Sequence, residues 1–311
     1  MIYLIIHYLY AIPTILLYLS YVTTFIVLLG LGLIYTFQCK LIYPAEFPEN
    51  SRTEVALPSD HNMPHFEDLS LRTRDNVKIK AYFIKQETDE QTSKACTLLY
   101  FHANAGNMVG EWAIRLPIAH IFYKMFKCNV FMVSYRGYGL SEGAPREKGL
   151  RLDAQAALDF ITDHPLLMNT KIIAFGQSIG GAVAIDLVAR NEDKIHAMIL
   201  ENTFLSLPKL IPSLMPFLRH VAFLCHQKWN SEKAIESITK TPILFLSGKR
   251  DELVPPQHMK ALHEKVKTSG GKSFSEFNST HNDTCLAPNY FDVIAQFWVT
   301  YVDDSFVKTG E

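Results

Sequence analysis

The 311-residue sequence predicts an α/β fold: a mostly parallel central sheet flanked by helices, with a short cap insertion, preceded by one N-terminal transmembrane helix. Three observations carry that expectation. Within residues 1–37, 28 are hydrophobic and none is Asp, Glu, Lys or Arg. From residue 97 onward, short apolar runs alternate with segments of helical period, the pattern of βαβ units whose strands are buried on both faces. One of those runs, 172–175, passes directly into Gly176-Gln177-Ser178-Ile179-Gly180-Gly181, a serine on a glycine-flanked turn.

The first fixed charge is Lys40. As a helix, 14–37 is about 36 Å long, enough to cross a hydrocarbon core of about 30 Å. Pro13 is expected to mark the start of that helix or a kink. Tyr8 and Tyr10 at one end, and Tyr35, Phe37 and Tyr43 at the other, suit the two interfaces. A cleaved signal peptide would need a basic n-region, a shorter apolar core and a small-residue cleavage site. Residues 1–39 are therefore read as an uncleaved anchor whose partner is the lipid bilayer. That makes the protein single-pass, in an endomembrane such as the endoplasmic reticulum or in the plasma membrane. Lys40 and Arg52 follow the span, which tilts the positive-inside rule toward a cytosolic domain and leaves its side open. Cys39, at the boundary, is a free thiol or an acylation site.

Residues 40–65 hold Pro44, Pro48, Pro58 and Pro64 among polar residues and read as a linker or an irregular cover. The domain proper is expected over 66–304. Segments 66–71 and 77–84 alternate like antiparallel strands about an Asp75-Asn76 turn. Runs 97–101, 130–133, 172–175, 198–200 and 243–246 read as buried strands, with helices near 111–125, 148–162 and 179–190 between them. The stretch of about 203–230 breaks the alternation as an insertion. A strand near 272–277 and a helix near 290–302 close the domain.

Composition removes several classes. Lys plus Arg is 30 against 31 for Asp plus Glu, a balance that gives no basic face for nucleic acid. Five cysteines without a C-x-x-C spacing indicate neither a disulfide framework nor a zinc site. No metal or cofactor is expected.

The chemistry explains the elbow's spacing. A serine on a sharp strand-to-helix turn exposes its Oγ, and glycines two residues either side let strand and helix pass that closely. The Ile179 amide then begins a helix and suits an oxyanion. A hydroxyl is a weak nucleophile and needs an oriented base, and on such an elbow the acid follows the serine and the base follows the acid. His281 is the expected base, because Ser279-Thr280-His281-Asn282-Asp283 is a polar loop after the last strand. His258 and His263 fall in a surface helix, His220 and His226 in the insertion, and His196 before a strand. Asp251, just beyond the strand 243–246, is the expected acid, with Glu201 the runner-up, Glu252 directed elsewhere and Asp283 pinning its own loop. The second oxyanion donor is expected from the amide of Ala103 or Asn104, in the small-residue loop after strand 97–101. His102 is expected to brace that loop, and Arg136 to be structural. Sequons at Asn278 and Asn282 flank His281 and are expected to be unmodified.

These motifs resemble the α/β-hydrolase superfamily. Within it they are similar to the membrane-anchored branch with the α/β-hydrolase domain-containing protein 13 group and the fungal bud-emergence suppressor homologues. The resemblance rests on Phe101-His102-Ala103-Asn104-Ala105-Gly106-Asn107, 134–139, 176–181, Leu200-Glu201-Asn202-Thr203-Phe204, Leu246-Ser247-Gly248 with 251–256, and His281-Asn282-Asp283, over about 66–300. It implies a serine hydrolase with Ser178 as nucleophile, Asp251 as acid and His281 as base. His102-Ala103 stands where many members have His-Gly, which leaves the donor between Ala103 and Asn104. Relatives of the branch include protein depalmitoylases, which suggests an acyl thioester.

The insertion carries no Asp or Glu, and its fixed charges are Lys209, Arg219 and Lys228. Pro208, Pro212 and Pro216 are expected to break it into short turns. Its apolar side chains either pack onto the sheet or cap a long acyl chain, which gains about 0.8 kcal/mol per buried methylene. The expected function is hydrolysis of an ester or thioester of an acylated lipid or protein, palmitoyl-protein thioesterase-like. The alternatives are a membrane-tethered scaffold with a vestigial triad, or a serine peptidase on the same fold.

Overall fold

A computed structural model describes residues 2–108 and 115–303, with the side chains of 2–12 left out. Helix α1 (Ile2–Ile42) passes through Pro13 without ending, so Pro13 is not the helix start. Its stretch Pro13–Ile42 is long and apolar enough to be a candidate span. Residues 43–65 then cross the domain surface with Tyr43, Ala45, Ser51 and Met63 buried, an irregular cover.

The domain continues through β1 (Phe66–Arg72), β2 (Lys78–Ile84), α2 (Asp89–Lys94), β3 (Thr97–Phe101), α3 (Arg115–Lys124), β4 (Asn129–Ser134) and α4 (Glu147–Asp163). It follows with β5 (Ile172–Gln177), α5 (Ile179–Arg190), β6 (Ala197–Glu201), α6 (Leu207–Leu214) and α7 (Ser231–Ile235). Last come β7 (Ile243–Gly248), α8 (Gln257–Lys265), β8 (Lys272–Phe277) and α9 (Tyr290–Tyr301). The first residues of the helix predicted near 111–125 fall outside the described residues. Asn76 takes φ 67° in the β1–β2 turn, a left-handed position that Asn tolerates. Pro212 lies inside α6, so the insertion keeps more helix than its prolines predicted; a 3₁₀ stretch, Pro216–Leu224, follows.

The strands form one eight-stranded sheet in the order β1-β2-β4-β3-β5-β6-β7-β8. The β1–β2 and β2–β4 pairs are antiparallel and the others parallel. Period-2 alternation sends successive side chains to opposite faces. Leu99, Phe101, Phe131 and Ala174 join the core on one face, and Leu98, Tyr100, Val130 and Phe175 that on the other. Each Leu, Val or Phe among them, fully buried, contributes about 1.5–3 kcal/mol. Chain order reverses about β3, which lies between β4 and β5, and open α/β sheets place their crevice at such a switch point, beyond the strands' carboxyl ends.

Candidate active site

Ser178 joins β5 to α5 at φ 55° and ψ −119°, a conformation costing a non-glycine residue about 1–3 kcal/mol. Its surroundings enforce it. Ser178 N donates to Glu201 O at 2.8 Å, and Thr203 Oγ1 donates to Ser178 O at 2.7 Å. The flanking glycines are required by space: a Cβ on Gly176 would sit 2.3 Å from Gly180 O, one on Gly180 2.1 Å from Phe101 O, and one on Gly181 2.6 Å from Thr203 Cβ.

His281 Nδ1 lies 2.8 Å from Asp251 Oδ2. The other Asp251 oxygen accepts from the amides of Leu253 (2.9 Å) and Val254 (2.7 Å), so the carboxylate is fixed before it meets the ring. The His281 loop is tied down in turn. Its carbonyl accepts from Asn202 Nδ2 at 3.0 Å and Gln177 Nε2 at 3.4 Å. Asp283 Oδ1 accepts from the Thr280 amide at 2.6 Å and hydroxyl at 2.8 Å; the hydroxyl bond leads in holding the Asp283 carboxyl below its ordinary range. Glu252 does reach this loop: its Oε2 accepts the His281 amide at 3.2 Å. Glu201 is directed elsewhere, toward Gln177 Nε2 (3.0 Å) and the Tyr290 hydroxyl, and burial pushes its carboxyl up to about 7.

Ser178, Ile179, Ala103, Asn104 and His281 all line one cavity of about 1240 Å³, larger than the roughly 300–1,000 Å³ of most ligand pockets. Asp251 stands behind the His281 ring. As the first residue of α5, Ile179 has an amide without an intrahelical partner. The amides of Ala103 and Asn104 likewise make no hydrogen bond among the described residues, so both remain available. The direct Ser178 Oγ–His281 Nε2 hydrogen bond is not formed among the described residues.

The sequence did not single out Arg115. Its guanidinium is buried (1% exposed) and donates to the carbonyls of Ala103 (2.9 Å), Asn104 (3.1 Å) and Ala105 (2.9 Å), and to that of Asn107. It ties together the loop that carries the two candidate amides, and it lines the same cavity. The available signal was a lone fixed charge within the otherwise uncharged run 112–123. His102 is fully buried, its Nδ1 is 2.7 Å from Ala103 O, and its ring packs on Tyr135 at 4.2 Å. Burial holds its imidazole well below the ordinary histidine range, as a brace requires. Arg136 pairs with Asp75 at 2.7 Å and Asp153 at 2.9 Å, a structural network away from the cavity. Among the described residues no His, Cys, Asp and Glu side chains cluster as a metal site.

The family model described as "Serine aminopeptidase, S33" matches residues 118–240. Protein bem46 of Schizosaccharomyces pombe is 47% identical over 273 residues, covering 88% of this chain and 89% of that protein. The chain belongs to the α/β-hydrolase family. Other members are similar along comparable lengths. The Arabidopsis thaliana α/β hydrolase domain-containing protein WAV2 is 39% identical, with 90% of this chain and 93% of WAV2 covered. The Saccharomyces cerevisiae uncharacterized membrane protein YNL320W is also 39% identical, with 87% and 92% covered. The hydrolase fold is shared with Pyrococcus furiosus esterase Pf2001, at a TM-score of 0.66 and 20% identity over 80% of this chain and 95% of that one. Family membership and the esterase-like fold make the protein a hydrolase.

Proposed function

We propose that the protein is a membrane-anchored serine hydrolase that cleaves the ester or thioester of a long acyl group on a lipid or protein. The single observation that carries this reading is the His281–Asp251 contact of 2.8 Å beside a serine held at φ 55° on the wall of the same cavity. In this reading Ser178 Oγ attacks the acyl carbon. His281 Nε2 accepts the hydroxyl proton and returns it to the leaving group, while Asp251 fixes the tautomer and stabilises the imidazolium. The amides of Ile179 and of Ala103 or Asn104 receive the oxyanion. Water, activated by the same imidazole, releases the acid from the acyl-enzyme. The apolar helix Pro13–Ile42 supports a single span in an endomembrane or the plasma membrane.

The description of the matching family model favours one second reading, a serine peptidase. Purified full-length protein assayed against acyl esters, acyl thioesters and aminoacyl anilides separates the two. Ester or thioester turnover lost in Ser178→Ala supports the proposal; anilide turnover alone supports the peptidase; turnover unaffected by Ser178→Ala contradicts both.

A further inference from the structure

The cavity does not end at the globular domain. Ile34, Gln38, Leu41 and Ile42 of α1 line it together with Ser178 and His281, and their spacing of four, three and one puts them on one helix face. The rest of the candidate span stands free, with none of its most apolar window buried.

The base of α1 is clasped to the cap. Gln38 is buried, its Oε1 accepts the His226 amide at 2.8 Å, and its Nε2 donates to Leu224 O at 3.4 Å. The Tyr35 ring meets His226 edge-on at 5.2 Å. Below them Trp229 Nε1 donates to the Tyr43 hydroxyl at 2.9 Å, which donates to Gln227 Oε1 at 3.1 Å. The cap and the last turns of α1 are thus held edge to edge. Leu41, Phe47, Leu214 and Met215 line the cavity there and are exposed. Phe217 and Phe223 lie on the outside of the same cap, 79% and 71% exposed.

A helix that crosses a bilayer fixes where the bilayer surface lies; with Pro13–Ile42 as the span, its last turns carry the cavity wall and stand beside the cap with the exposed aromatics. We infer that the last turns of α1 form one wall of the acyl-chain site, which the chain enters laterally from the bilayer between α1 and the cap. This rests on the hydrolase reading above and adds to it: the anchor is part of the substrate site, and the substrate is drawn from the membrane without passing through water.

The test uses the full-length protein in phosphatidylcholine nanodiscs and a p-nitrophenyl ester series from butyrate to palmitate. Leu41→Trp narrows the wall and is expected to lower the palmitate-to-butyrate ratio of kcat/KM tenfold or more, whereas Leu41→Ala moves the preference toward longer chains. Leu28→Trp, on the same helix outside the cavity, leaves the ratio where it is. Rates of inactivation by short and long alkyl fluorophosphonates give the same ratio without turnover, and Ile34→Trp replaces Leu41→Trp if the latter does not fold. A Leu41→Trp ratio within twofold of wild type, or one matched by Leu28→Trp, overturns the inference alone. A wild type with no turnover at any chain length removes the hydrolase reading and this inference with it.

Discussion

Arg115 Nη2 lies 2.9 Å from the carbonyl of Ala103, and the same buried guanidinium reaches three further carbonyls of the loop. Ala103 and Asn104, whose carbonyls Arg115 holds, both line the cavity, and the proposed oxyanion donors are the amides of this loop. If that loop supplies the oxyanion donor, Arg115 acts as a positioning residue. Arg115→Met is expected to lower kcat on the order of 10²-fold with little change in KM, as losing or misplacing an oxyanion donor does, and Arg115→Lys to restore part of it. Steady-state kinetics on a short ester checks this; a rise in KM alone would assign Arg115 to substrate binding.

Asp251→Asn keeps the shape of the proposed acid but presents an amide to His281 Nδ1, favouring the wrong tautomer. A fall in kcat of about 10⁴ is expected, the size such a change produces in other triads. Glu201→Gln, which alters a carboxyl that never meets the ring, is expected to retain at least a tenth of wild-type kcat. Equal losses in the two variants would return Glu201 to candidacy as the acid.

The sheet and the elbow were legible because their signals are local. Runs such as 172–175 are buried on both faces, and Gly176, Gly180 and Gly181 each answer one close approach. The rest depended on distant partners. Nothing near residue 115 announces the carbonyls it binds. The prolines of 43–65 fit a linker as well as the cover that Gly106 N→Phe47 O (2.6 Å) and Asn107 Nδ2→Glu54 O (2.9 Å) fasten over the 103–107 loop. Glu252 was expected to point away, yet the fold of its loop carries it back to the His281 amide.

Gly180→Ala sets a methyl 2.1 Å from Phe101 O, backbone against backbone, where neither side can yield. Overpacking of that kind costs about 1–3 kcal/mol or more, about 2–12 °C in Tm for a domain of this size. Differential scanning calorimetry of the variant against wild type reads it; an unchanged Tm would mean that α5 does not pass β3 this closely.

Burial raises the Glu201 carboxyl from an ordinary 4.5 to about 7. The folded state therefore binds a proton more tightly than the unfolded chain, and stability falls as pH rises from about 4.5 through 7. The contribution is on the order of 3 kcal/mol at most. Urea titrations at pH 5 and pH 8 are expected to show wild type losing more stability over that interval than Glu201→Gln, which has no proton to release. Parallel losses would place the pH dependence elsewhere.

Covalent labelling tests the proposed nucleophile, Ser178, most directly. Full-length wild type treated with a fluorophosphonate and mapped by peptide mass spectrometry is expected to carry one adduct, on the peptide containing Ser178, blocked in Ser178→Ala. An adduct on another residue, or equal labelling of the two proteins, would contradict it.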